Sequence, residues 1–157
     1  MRIAHVSLPA DDPQRAAEVL AEIMQGEATP FPPGGPGAWM AWSGDGEIEL
    51  EIVRRGWPLQ LGPEEGAWAP DGSTRRWSES HAAVCVRRPE REIIAIAQAA
   101  GWPARHCERG EGYFQLVEVW VDGAFMLEFM DPAQTARYRE AVTPSKWKEF
   151  LARMEAA

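Results

Sequence analysis

His5-Val-Ser-Leu-Pro-Ala-Asp-Asp-Pro13-Gln-Arg15 opens the first half of the chain, and His81-Ala-Ala-Val-Cys-Val-Arg-Arg-Pro89-Glu-Arg91 opens the second. In both, Pro follows the His by eight positions and Arg by ten, and the two His residues are 76 positions apart. The halves also close alike. Asp45-Gly46-Glu-Ile-Glu-Leu-Glu51-Ile-Val matches Asp122-Gly123-Ala-Phe-Met-Leu-Glu128-Phe-Met, with a Glu five residues past the turn glycine and 77 positions between the two Glu residues. Agreement at both ends to within one residue is the signature of a duplicated structural unit.

Outward from each His, local pattern gives the halves the same order of elements. Residues 3–8 alternate as a strand does. Asp12 then caps a helix that carries Pro13 in its first turn, where proline is tolerated. Ala16, Val19, Leu20, Ile23 and Met24 form its apolar stripe, and Gly26 closes it. The Pro/Gly-rich stretch 29–37 leads to a strand at 39–42, and the turn 43–46 leads to a strand at 47–53. The second half repeats this with a strand at 81–86, a helix at 89–100 ended by Gly101, and strands at 114–121 and 124–130. One further strand in each half is expected at 27–31 and 104–108.

The order is βαβββ twice, an α+β arrangement with halves at about 1–55 and 79–131 that together form one domain, 1–131. Between them, residues 56–78 are rich in Pro and Gly and long enough for a crossover that also acts as a lid. Residues 132–157 are expected to form a helical extension, broken near Thr143-Pro144 and carrying Trp147, Phe150, Leu151 and Met154.

Strand alternation fixes which way the repeated polar residues point. Ile48, Leu50 and Ile52 make an apolar face suited to a helix, so Glu47, Glu49 and Glu51 face away from it. Phe125, Leu127 and Phe129 do the same in the second half, leaving Met126, Glu128 and Met130 opposite. In the opening strands the apolar alternation groups His5 with Ile3 and Ser7, and His81 with Ala83 and Cys85. His5, Glu51, His81 and Glu128 therefore project from faces that helices do not cover, and they converge in one cleft if the two sheets close towards each other. Two imidazoles and two carboxylates suit a divalent metal (Zn, Ni, Co, Mn or Fe), and donor identity alone does not choose among these. The repeat favours Glu51 as the first-half carboxylate, with Glu49 on the same face as the reserve.

Paired βαβββ halves, with His on the first strand and Glu on the last strand of each, resemble the vicinal oxygen chelate superfamily. That group includes glyoxalase I, methylmalonyl-CoA epimerase, extradiol dioxygenases, fosfomycin-resistance enzymes and metal-free bleomycin-resistance proteins. The resemblance covers about residues 1–131 and implies a curved, cleft-enclosing mixed sheet. By position, His5, Glu51, His81 and Glu128 match the two-His, two-Glu metal site of the glyoxalase I type. The iron dioxygenases and fosfomycin enzymes would use only the positions of His5, His81 and Glu128. Two departures stand out. The first helix reads Val19-Leu-Ala-Glu-Ile-Met-Gln-Gly26, without the aromatic pair and Leu-Gly ending common in glyoxalases. The turn before the last strand reads Val121-Asp-Gly-Ala rather than Asp-Pro-Asp-Gly, and no glutathione pocket can be named. The resemblance also implies a homodimer, because paired halves in this family often complete their clefts across a subunit interface.

The expected function is a metal-dependent lyase or isomerase of the glyoxalase I type, acting on a small molecule with vicinal oxygens. Glu128 or Glu51 would move a proton at the adjacent carbon. Two alternatives stand beside it: a non-catalytic, resistance-type binding protein holding a planar ligand between tryptophans, and an Fe(II) dioxygenase using His5, His81 and Glu128.

Composition narrows the partners. The 157 residues carry 24 acidic against 16 basic side chains, a net charge of −8, which argues against nucleic acid and against anionic lipid. The uncharged stretch 28–44 holds four prolines and does not read as a membrane helix. Cys85 and Cys107 lack C-x-x-C spacing and read as the reduced thiols of a cytoplasmic protein, and the opening residues read as no secretory signal. His106 beside Cys107 reads as a surface residue, since no base–nucleophile–orienter set accompanies it. Trp39, Trp42 and Trp120 lie in or beside strands, where some can line the cleft. Arg54, Arg55, Arg75 and Arg76 read as solvated loop charge.

Overall fold

Leu8 and Ala10 are fully buried at the end of β1 (His5–Ala10), which carries the first strand two residues past its expected end. The computed structural model describes residues 5–60, 67–70, 81–109 and 112–155. Asp12 caps α1 (Pro13–Ile23) by accepting the Arg15 N–H, as expected from Pro13 in the first turn. The helix stops before Gly26. Gln25 takes the left-handed turn (φ 56°), and Gly26 is needed for another reason: a Cβ there would lie 1.9 Å from the carbonyl oxygen of Trp42. β2 (Glu27–Pro30), a 3-10 turn (Pro32–Gly34), β3 (Trp39–Trp42) and β4 (Glu49–Arg54) complete the first half.

A short hairpin, β5 (Leu59–Gln60) with β6 (Ala67–Trp68), follows, and the remainder of the expected crossover lies outside the described residues. The second half runs β7 (Ala82–Cys85), α2 (Glu90–Ala99), β8 (Ala104–Arg109), β9 (Phe114–Val121) and β10 (Phe125–Met130). Then come α3 (Pro132–Ala141), capped by an Asp131–Gln134 capping box, and α4 (Pro144–Glu155).

The mixed sheet expected from the resemblance is built as two four-stranded halves, ordered β1-β4-β3-β2 and β7-β10-β9-β8. In each, the first strand is parallel to the last and the others are antiparallel. No strand pairing joins the two sheets among the described residues. The halves associate instead through their helix-covered sides. Leu8, Leu20 and Ile52 of the first half share one continuous core with Ile93, Val117 and Phe129 of the second.

Polar contacts across this seam are reciprocal. The Arg15 guanidinium donates to Ala100 O at the end of α2 (2.8 Å), and Arg88 donates to Glu22 O at the end of α1 (2.8 Å). Each thereby satisfies a helix-terminal carbonyl with a cation where the helix dipole is negative. Each Asp-Gly turn also rests on the opposite β–α loop: Asp122 accepts the Asp11 N–H (2.6 Å), and Asp45 lies 3.6 Å from Arg87.

The face opposite the helices is partly covered. α3 packs on β9 and β10, with Tyr138 edge-on to Phe114 (5.0 Å), and Tyr113 stacks on Phe150 of α4 (4.6 Å). Met40, Val53, Leu116 and Met130 are buried on that side, outside the shared core. Among the described residues no helix is long and apolar enough to cross a membrane.

Candidate metal centre

The parallel pairing of β1 with β4 sets Ser7 beside Glu51 and His5 beside Glu49. His5, Ser7 and Glu51 share the face away from α1, as alternation requires. Glu51 is the carboxylate that meets the imidazole: its Oε2 lies 3.8 Å from His5 Nε2 and accepts a short hydrogen bond from the Ser7 hydroxyl. Behind it runs the 3-10 turn. A Cβ on Gly34 would come within 2.5 Å of Glu51 Oε1, so only glycine lets the turn close on the carboxylate.

The second half repeats the pair. Glu128 Oε2 lies 3.8 Å from His81 Nε2, the same separation as in the first half. The surroundings differ. Arg109 Nη2 donates to Glu128 Oε1 (2.9 Å) and also to Glu118 Oε1 (2.7 Å), bridging two carboxylates that sit directly opposite each other on β10 and β9. Glu118 is only 5% exposed, and its Oε2 accepts from Arg105 Nε (2.8 Å) and Trp120 Nε1 (3.4 Å). Burial alone would raise the Glu118 carboxyl above its ordinary value, but hydrogen bonds from Arg109, Arg105 and Trp120 outweigh this and hold it at about 2. The same contacts, Glu118 first, hold Arg109 above even its ordinary range.

Both pairs have a buried acid and an accessible base. The carboxylate side chains are 7% and 13% exposed, whereas the His5 and His81 side chains are 49% and 50% exposed. A 3.8 Å gap is too long for a hydrogen bond, and a cation at ordinary ligand distances of roughly 2.0–2.2 Å can touch both atoms. Neutral imidazole with carboxylate is also a donor set that first-row divalent ions accept. The donors therefore fit a metal. They stand as two pairs within the chain: among the described residues no group of three or more His, Cys, Asp or Glu side chains is placed to hold one ion.

No protein-family model matches the chain, and no curated protein matches its sequence. Solved structures match it in fold. A variant of the fosfomycin resistance protein FosX of Listeria monocytogenes, complexed with Mn(II) and 1S,2S-dihydroxypropylphosphonic acid, superposes with a TM-score of 0.57 at 12% identity, over 90% of this chain and 98% of that one. Lactoylglutathione lyase of Agrobacterium tumefaciens gives 0.55 at 13% identity, over 84% and 94% of the two chains. FosX of Mesorhizobium loti gives 0.53 at 14%, over 87% and 96%.

The chain has the fold of these structures.

Within this fold, other residues singled out from the sequence take ordinary places. Trp39 faces the shared core, whereas Trp42 and Trp120 stand on the ligand side, cross-strand from Glu49 and Met126. Cys85 and Cys107 are free, half-buried thiols. His106 lies on β8 with Nδ1 2.9 Å from Glu90, which also accepts from Gln134 and so ties α3 to the start of α2. Arg55 is no solvated loop charge: it bonds Asp11 (2.7 Å) and Pro9 O (3.1 Å) and lies 3.8 Å from Asp122. Arg54 is exposed, and Arg75 and Arg76 lie outside the described residues.

In the sequence, Ser7 falls on the ligand face with nothing to mark a role for it, and Gly34, Arg109 and Glu118 are not among the expected site residues. Glu118 carried a usable signal, being a charged residue inside the apolar run Leu116-Val-Glu118-Val-Trp-Val121. Its partner Arg109 becomes visible only once β8 is in register with β9.

Proposed function

We propose that this protein is a metal-dependent enzyme, a lyase or isomerase acting on a small substrate with two neighbouring oxygens, and that its site is completed between two copies of the chain. The observation that carries the reading is the repeated half-site, a carboxylate largely shielded from solvent 3.8 Å from an accessible imidazole in both halves. The shared core uses the helix-covered faces of both sheets, and on the opposite faces, which α3 covers in part, the His5 and His81 side chains stay half exposed, accessible to a second chain. A twofold pair would set His5 and Glu51 of one copy against His81 and Glu128 of the other, twice over.

Bound there, a divalent ion of the Zn, Ni, Co, Mn or Fe group supplies a Lewis acid that polarises the two substrate oxygens. His5 and His81 would present Nε2 to the ion. Glu128 keeps Oε1 on Arg109 and offers Oε2. No guanidinium bonds Glu51 among the described residues; its donor is the rotatable Ser7 hydroxyl. We assign Glu51, once released from the ion, to take a proton on Oε2 from the substrate carbon beside the polarised oxygens and to return it, with Ser7 steadying the carboxylate.

Metal analysis of protein purified without chelator tests this, with about one ion per chain expected and little left in Glu128→Ala. A chain that holds no stoichiometric metal, and a Glu128→Ala variant unchanged in metal uptake and activity, would refute the reading.

A further inference from the structure

We propose that Arg109 is the positioning residue of the second half-site, fixing the orientation of Glu128 through the buried anchor Glu118. The inference rests on reading the His–Glu pairs as metal half-sites. A single nitrogen, Arg109 Nη2, donates to Oε1 of both Glu118 (2.7 Å) and Glu128 (2.9 Å). With Oε1 held, Oε2 is the Glu128 oxygen left to face His81.

The anchor has no other visible purpose. In the first half, the residue cross-strand from the ligand carboxylate is Met40, and in the second it is Glu118. A carboxylate buried at a position an apolar residue can fill carries a desolvation cost, which needs both oxygens satisfied. Arg105 and Trp120 satisfy Oε2, so Oε1 is reserved for Arg109. Without the bridging guanidinium, Glu118 and Glu128 would be like charges directly opposite on neighbouring strands, and Glu128 would turn away from its neighbour. Arg109 thus holds the ligand carboxylate towards His81 before any ion arrives, the role that outer partners play around metal ligands.

The test is Co(II) titration of the full-length protein, read by binding affinity and by the visible d–d absorption that reports ligand geometry. Arg109→Gln is expected to weaken binding roughly ten- to hundredfold and to alter the spectrum. Arg105→Gln touches the same Glu118 but not Glu128, and should bind within about twofold of wild type with an unchanged spectrum. The double variant Glu118→Met/Arg109→Leu replaces the ion pair with apolar side chains, with methionine at 118 as at Met40 in the first half, and replacing such a pair whole is often neutral for stability. It should fold and still bind Co(II) weakly. Wild-type affinity and spectrum in Arg109→Gln or in the double variant would overturn the proposal, as would equal losses in Arg105→Gln and Arg109→Gln. Failure of the wild-type protein to bind Co(II) at all would instead overturn the half-site reading, and this proposal with it.

Discussion

In the first half of the molecule, the carboxylate of Glu51 is held by a hydroxyl and lies against a turn where Gly34 leaves no room for a Cβ. In the second half, the carboxylate of Glu128 is held by a guanidinium that leans on a second, buried carboxylate. The imidazole–carboxylate separation is nonetheless 3.8 Å in both. The pair is thus the same in both halves while its supports differ. The divergence also divides the labour we propose: Glu128 is a fixed anchor, and Glu51, which no guanidinium bonds among the described residues, carries the proton.

The comparison breaks most visibly at the imidazoles. His5→Ala and His81→Ala should each lower metal affinity by at least about a hundredfold, measured by calorimetric titration, because each removes one of four donors. Survival of tight binding in one variant but not the other would show that the halves are not equivalent ligands. Next comes Gly34→Ala, which would force a methyl group to within 2.5 Å of Glu51 Oε1 and 2.8 Å of Ala38 Cβ. It should destabilise the fold by about 1–3 kcal/mol in denaturant titration and weaken metal binding through the first half alone.

The second half carries the carboxyl held furthest below its ordinary value. Glu118 sits at about 2 in the folded protein against an ordinary 4.5, so it contributes stability that is complete above about pH 4.5 and is lost as pH falls towards 2. Glu118→Gln should therefore flatten the decline of unfolding free energy across that window, with little change in its slope at neutral pH. The smallest effect is expected from Ser7→Ala, which removes one hydrogen bond to Glu51 at about 1–2 kcal/mol of stability and leaves metal binding largely in place.

Much of this was legible in the amino-acid sequence, for physical reasons. Alternation in residues 48–52 and 125–129 depends only on the two-residue period of a strand, and it placed Glu51 and Glu128 on the faces away from the helices. Pro13 after Asp12 and Pro132 after Asp131 mark helix starts through φ and through the cap, and both helices begin there. The supports were harder to read. Gly34 matters because of a through-space approach to Glu51, and Arg109 because two strand registers bring it between Glu118 and Glu128. Such contacts depend on pairing, and local pattern carries no record of it. Trp39 shows the same limit: as a strand tryptophan it could have faced either side, and pairing with Ile52 turned it to the core.

The central claim is that the two His–Glu pairs are halves of one kind of metal site, completed between chains. Mixing separately purified His5→Ala and His81→Ala chains under conditions that exchange subunits tests it directly. Each variant alone should bind metal weakly. In the mixture, half the dimers are mixed, and each mixed dimer regains one intact site, so tight binding should return to about a quarter of wild-type sites. If the mixture binds no more metal than the two variants measured apart, the site is not built across the chains.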